Sequence, residues 1–260
     1  MAQKPAISAT FQFETQEEVL DVKPQGTKLH IGIPKETAFQ ENRIALTPDA
    51  VGVLVMNGNR VSVEHKAGEG SHFSDADYAE AGATIIYDRE EIFRCPILVK
   101  SAPPVVEDMP LIQMNQTIIS PVHFSALQRE LIAMMMEKRV TALSFENFKD
   151  ESGTYPIVRS MSEIAGSAVM LIAGQYLSSF NQGKGVLLGG ISGIPPTKVV
   201  IIGAGIVGEF ATRNALALGA SVKVFDNNVY RLKQLQNNLG QRIWTSVDRK
   251  STRLNSSHLV

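Results

Sequence analysis

Three glycines, one acid, one arginine and one histidine are the residues of this 260-residue chain whose types and spacing could do chemistry. Gly203, Gly205 and Gly208 form Gly-Ala-Gly-Ile-Val-Gly directly after the apolar run Lys198 to Ile202 and directly before a helical pattern, Glu209 to Leu218. At a strand-to-helix turn each glycine has its own task. Gly203 permits the tight turn, Gly205 lets backbone N–H groups approach a pyrophosphate, and Gly208 lets the helix pack on the strand. The helix N-terminus adds partial positive charge at the same place. A second apolar run, Ser221 to Phe225, ends in Asp226, 18 residues beyond Gly208, where a carboxylate would accept hydrogen bonds from both hydroxyls of an adenosine ribose. A bare Gly-x-Gly-x-x-Gly says little; with strand, helix and acid in place it reads as a dinucleotide site. Asp226 favours NAD over NADP, since it would repel a 2′-phosphate. The nearest arginine that follows, Arg231, reads as lying on the solvent face of the next helix. The residues leave open a plain glycine loop with Asp226 capping a helix that begins near Val229.

Arg43 falls in the loop between the strand Leu29 to Ile33 and the helix opened by Thr47-Pro48-Asp49. Ligands of open α/β sheets collect at that edge, and a guanidinium grips both oxygens of a carboxylate. A solvated or helix-capping arginine would look the same from the residues alone. His123 follows the strand Gln116 to Ser120 through Pro121-Val122, and an ordinary imidazole pKa of about 6.5 suits proton exchange there. His30, His65 and His72 read as surface or packing residues, and no metal site is expected.

These groups need elements to hold them. From Lys28 onward short β-branched runs alternate with helical patterns, the signature of βαβ units and a largely parallel sheet. Strands are expected at Leu29 to Ile33, Arg60 to Glu64, Thr84 to Tyr87, Ile97 to Lys100, Gln116 to Ser120 and Val140 to Phe145. Helices are expected from Thr47, from Ser74 and from about Ser125 to Lys138, and Met161 to Phe180 reads as a long buried helix. The expected organisation is an extension over 1–27, a substrate domain over 28–160, and a linking helix with the first part of a nucleotide domain over 161–247. A polar tail without period over 248–260 resembles a cloning or assembly read-through, so the second domain is expected to be incomplete.

Lys and Arg number 25 against 26 Asp and Glu, so no summed field would hold the chain on nucleic acid or an anionic membrane. The runs Leu131 to Met136 and Val199 to Ile202 fall far short of the ~20 residues of a spanning helix, and no membrane segment is expected. The single cysteine, Cys95, forbids an intramolecular disulfide and fits a reducing cytoplasm.

The words Ile31-Gly-Ile-Pro-Lys-Glu36, Glu41-Asn-Arg-Ile-Ala-Leu-Thr-Pro48, Ala67-Gly-Glu-Gly70, Met161-Ser-Glu-Ile-Ala-Gly166 and Gly183-Lys-Gly-Val-Leu-Leu-Gly-Gly-Ile-Ser-Gly-Ile-Pro-Pro196 resemble those of the alanine dehydrogenase and proton-translocating transhydrogenase alpha-subunit family. The resemblance covers about Lys28 to Val247, is closest to alanine dehydrogenase, and marks the chain as C-terminally truncated. It implies an α/β fold of two Rossmann-like domains with largely parallel sheets joined by a long helix. It implies NAD as cofactor, with Ser162 as a further cofactor contact, although Ser162 could equally cap the long helix. It implies L-alanine or pyruvate as the small-molecule substrate, with Arg43 on its carboxylate, His123 exchanging a proton with its oxygen, and Lys100 beside them. A homo-oligomer is implied for the full-length protein, and little turnover for this span alone. One word departs. Alanine dehydrogenases resemble Lys-Val-Lys-Glu-Pro where this chain has Lys100-Ser-Ala-Pro-Pro104, so Ala102 stands where the family has a substrate-binding lysine. That keeps two alternatives in view, the NAD(H)-binding subunit of a transhydrogenase and a degenerate NAD-binding module.

Overall fold

Strands alternate with helices throughout residues 28–122 and 128–247, the part of the chain described in a computed structural model. Two compact units result, residues 28–120 with 128–143, and residues 121–122 with 144–247. His123 lies outside the described residues.

The first unit runs β1 (His30–Ile33), α1 (Pro48–Met56), β2 (Arg60–Glu64), α2 (Asp75–Glu80), β3 (Thr84–Ile86), α3 (Arg89–Ile92), β4 (Ile97–Val99), β5 (Thr117–Ser120), α4 (Arg129–Glu137) and β6 (Thr141–Ser144). Its six-stranded sheet has the order β3-β2-β1-β4-β5-β6. The pairings of β1 with β2 and β4, of β2 with β3 and of β4 with β5 are parallel. The caps follow from the residues. Thr47 accepts from Ala50 N with Pro48 in the first turn, and Ser74 forms a reciprocal capping box with Asp77 that opens α2, each satisfying helix-end N–H groups that otherwise lack partners. Ile33, Val51, Val61, Val63 and Tyr78 form one buried cluster. Ile92, Phe93, Cys95, Leu98, Ile112 and Ile118 form another. Cys95 is therefore a core residue, and His30 Nε2 lies 3.4 Å from its sulfur and 3.0 Å from Ser62 Oγ.

The second unit runs α5 (Pro156–Leu177), β7 (Lys198–Ile202), α6 (Ile206–Ala217), β8 (Ser221–Asp226), α7 (Val229–Leu239) and β9 (Trp244–Val247), with β7-β8-β9 in a parallel sheet. Its core gathers Met170, Ala211, Ala215, Val222, Val224, Leu232 and Leu235. The long helix corrects two expectations. It starts at Pro156 rather than Met161, because proline is at ease in a first turn where its missing N–H costs nothing. It is also not buried all round: Gly166 and Met170 are buried, whereas Ile164, Leu171 and Tyr176 are exposed. By length and composition α5 is apolar enough to cross a membrane, contrary to the expectation from unbroken apolar runs, because its apolar residues are interspersed with serines and glycines. One face is nonetheless taken by protein. A Cβ on Gly166 would meet Val207 O at 2.5 Å and Phe210 Cβ at 2.7 Å, so glycine there brings α5 and α6 into close contact.

Candidate functional site

In the first unit β1 and β4 lie side by side, while the chain leaves β1 towards β2 and leaves β4 towards β5. Their carboxyl ends therefore diverge into a crevice, the place where open α/β sheets bind ligands. Two loops meet there. The one after β1 carries Glu36, Glu41 and Arg43, and the one after β4 begins with Lys100, Ser101 and Ala102. They are stitched by Glu36, whose Oε1 accepts from Ser101 N at 2.6 Å and from Ala102 N at 3.3 Å.

Arg43 is held on one edge only. Its Nε and Nη2 donate to Glu41 Oε1 and Oε2 at 2.8 and 2.6 Å. This pairing lowers the Glu41 pKa and raises that of Arg43. The loop beneath is pinned from two sides. Ser71 Oγ donates to Asn42 O at 2.8 Å and Tyr78 Oη to Leu46 O at 2.8 Å. A Cβ on Gly70 would meet Asn42 O at 2.7 Å, which is why a glycine stands at that position.

Lys100 is 1% exposed. Its Nζ lies 3.0 Å from Glu36 Oε2 as an ion pair without directed hydrogen-bond geometry, and 3.4 Å from Asp108 Oδ2. Asp108, fully buried, also accepts from Arg89, which reaches back to Glu64 at the end of β2 at 2.8 Å. An alternating chain of Glu36, Lys100, Asp108, Arg89 and Glu64 thus underlies the carboxyl ends of four strands. Burying an ammonium alone is prohibitive, and here two carboxylates are buried with it.

In the second unit the three glycines do what their order requires. Gly203 has φ +107°, and a Cβ on Gly208 would meet Gly203 O at 2.0 Å. Gly205 is the N-cap of α6, and a Cβ there would meet nothing within 4 Å. That leaves an open cradle before the helix N-terminus. Asp226 is buried, its Oδ2 accepting from Ala204 N and its Oδ1 from Asn228 N, both at 2.7 Å. The Ala204 N–H is the largest cause of its lowered pKa. A carboxylate has about four lone-pair sites, so acceptor capacity remains for ribose hydroxyls. Asp226 does not cap α7; Asn228 does, accepting from Tyr230 N at 2.9 Å. A cavity of about 450 Å³ is lined by Ser162, Met170, Ile202, Gly203 and Gly205, and one of about 340 Å³ by Ala204, Ile206, Glu209 and Arg231. Arg231, exposed as expected, thus also faces the fingerprint turn, and its charge contributes to lowering the Asp226 pKa. An open cradle, a helix N-terminus and an acid at the second strand's end are a donor and acceptor set that fits a dinucleotide.

Comparison with known proteins shows the family. The family model "Alanine dehydrogenase/PNT, N-terminal domain" matches residues 32–165, and "Alanine dehydrogenase/PNT, C-terminal domain" matches residues 168–259. The chain belongs to the alanine dehydrogenase/PNT family. It is 39% identical over 217 residues to alanine dehydrogenase of Bacillus subtilis, covering 84% of this chain and 57% of that protein. It is 36% identical over the same length to alanine dehydrogenase 2 of Staphylococcus aureus, covering 58% of it. Among solved structures an L-alanine dehydrogenase superimposes with a TM-score of 0.79 at 36% identity, covering 86% of this chain and 62% of that one. A transhydrogenase from Sinorhizobium meliloti, at 21% identity and a TM-score of 0.72 over 87% of this chain, shares the fold. The chain therefore spans less than two thirds of these relatives.

Of the residues singled out from the sequence, Gly203, Gly205, Gly208 and Asp226 come together at one turn, with Ser162 and Gly203 lining one cavity. Arg43 and Lys100 belong to loops that share Glu36, but Lys100 turns its ammonium inward to Glu36 and Asp108 rather than outward. Glu36, Glu41, Asp108, Arg89 and Glu64 did not stand out in the sequence as site residues. Glu41, two residues before Arg43, carried a local signal; Asp108 and Arg89 carried none, since their meeting depends on how β2, β3 and β4 pack.

Proposed function

We propose that the whole protein is an NAD-dependent oxidoreductase that interconverts L-alanine with pyruvate and ammonium. The observation that carries the reading is Arg43, an exposed guanidinium with one fork uncommitted, on the loop that leaves β1 at the β1/β4 crevice. A carboxylate there gains two parallel charge-assisted hydrogen bonds, which orient the substrate as well as hold it. Gly203, Gly205 and Gly208 would take the pyrophosphate and Asp226 the adenosine ribose, and Ser162 lines the cavity beside them. NAD when bound supplies a hydride acceptor at its nicotinamide C4. His123, which follows β5 in the chain, is the residue we assign to proton exchange with the substrate oxygen. Lys100 contributes from beneath by fixing Glu36 and, through it, the backbone of Ser101 and Ala102. The reading extends to a homo-oligomer in the cytoplasm, in keeping with a single cysteine buried in the core. Residues 1–247 alone are expected to turn over little.

NADH formation on adding L-alanine and NAD to the full-length protein tests the reading, with Arg43→Ala alongside. The expected result is turnover in the wild type and a loss of about 100-fold or more in kcat/KM in the variant, the scale of one bidentate charge-assisted contact. No turnover in the wild type would sink the reading. Ala102 favours a second reading, since only a methyl side chain stands where the family resemblance implies a substrate-binding lysine. On that reading the protein is the NAD(H)-binding subunit of a transhydrogenase, and hydride transfer to NADP on a partner subunit would separate it from a binding module without chemistry.

A further inference from the structure

We propose that Glu41 is a positioning residue that turns Arg43 so that its end-on fork meets the incoming carboxylate. The inference rests on reading Arg43 as the carboxylate contact. A guanidinium has two edges that can grip a carboxylate through paired N–H bonds, a side-on edge that includes Nε and an end-on edge made by both terminal nitrogens. Glu41 occupies the side-on edge with both of its oxygens, at 2.8 Å to Nε and 2.6 Å to Nη2. Nη1 donates to nothing among the described residues, and together with the second hydrogen of Nη2 it forms a complete unused fork.

Burial gives the clasp a direction. The Glu41 side chain is 12% exposed and the Arg43 side chain 56%, so the carboxylate is the anchored end and the free fork the open one. The anchor is itself fixed. Glu41 Oε1 also accepts from the backbone N–H of Arg43 at 2.9 Å, and Glu41 N donates to Ala38 O at 3.1 Å. Between the two residues Asn42 is clamped by Ser71 and by the close approach of Gly70. A long side chain that would otherwise sample many rotamers is thereby offered in one.

The rival account is electrostatic masking, in which Glu41 neutralises Arg43 and competes with the substrate. The two differ in sign. Masking predicts that removing Glu41 tightens carboxylate binding, and positioning predicts that it weakens it. The test uses the full-length protein and two readouts, calorimetric titration with pyruvate and steady-state reductive amination. In Glu41→Ala the dissociation constant and the KM for pyruvate should each rise about ten-fold or more, with kcat at saturation within about three-fold and the unfolding midpoint unchanged. Glu41→Gln, which keeps one acceptor oxygen, should fall between wild type and Glu41→Ala. Unchanged or tighter pyruvate binding in both variants, with binding still lost in Arg43→Ala, overturns the proposal alone. Pyruvate binding as strong in Arg43→Ala as in the wild type, or none in the wild type, overturns the reading of Arg43 and the proposal with it. A wild type that binds pyruvate but oxidises no alanine refutes the dehydrogenase reading, and the titration series still decides the role of Glu41.

Discussion

Lys100 shows how much a single buried charge can govern. Its ammonium has Glu36 at 3.0 Å and Asp108 at 3.4 Å, all three side chains nearly free of solvent. Replacing it with methionine of similar length would leave two carboxylates buried without their shared cation, a loss of about 3–5 kcal/mol for a broken buried pair. A urea midpoint for Lys100→Met close to that of wild type would contradict this. Asp226 offers a pH signature instead. Hydrogen bonds from Ala204 N and Asn228 N hold its folded pKa below the ordinary 3.8. Its contribution is therefore present above that value and is lost as pH falls through the folded pKa. Wild type and Asp226→Asn should differ in denaturant midpoint at pH 7 and converge as pH falls through the lowered folded pKa. Arg43 and Asp226 were legible in the sequence because each sits at a fixed offset from a turn whose geometry the local residues dictate. The direction of Lys100 was not, since its partners Glu36 and Asp108 come from different loops.

Elements were readable where caps and glycines mark them. β2, β7, β8 and α7 fall where the sequence put them to within a residue, because Gly58, Gly219 and Gly240 break the chain with positive-φ conformations that strands and helices do not continue, and the Asn228 side chain caps α7. The four-residue α3 went unread, being too short to show a period although Asp88 caps it. The segment 67–71 matters through what glycine leaves out. In Gly70→Ala the new methyl would press on Asn42 O, and one small overpacking of this kind costs about 1–3 kcal/mol. The backbone must move, carrying Glu41 and Arg43 with it. A raised pyruvate KM accompanied by a lower melting temperature is expected, in contrast to Glu41→Ala, which should shift KM alone.

At the scale of the molecule, the sequence conveyed the fold class because alternating strand and helix patterns leave few architectures open. It did not convey which faces stay uncovered, since that depends on what packs where. Leu171 at 66%, Tyr176 at 73% and Phe180 at 98% exposure lie in one stretch of chain spanning the end of α5. Large apolar side chains left this exposed promote association and dye binding. The 260-residue chain by itself should bind anilinonaphthalene sulfonate and sediment as more than a monomer, and Leu171→Gln with Phe180→Ser should diminish both. Monomeric sedimentation of the unaltered chain would contradict this.

The missing side chain of Gly166 has a mechanical consequence. It presses a helix of 22 residues, about 33 Å long at 1.5 Å per residue, against Val207 and Phe210 in the first turns of α6, next to the turn we assign to the nucleotide. With no methylene between them, any rotation of α6 would be handed directly to α5. Gly166 stands near the middle of that helix, so about 5° of tilt about this contact swings either end through about 1.4 Å, and α5 works as a lever arm with its fulcrum at the fingerprint.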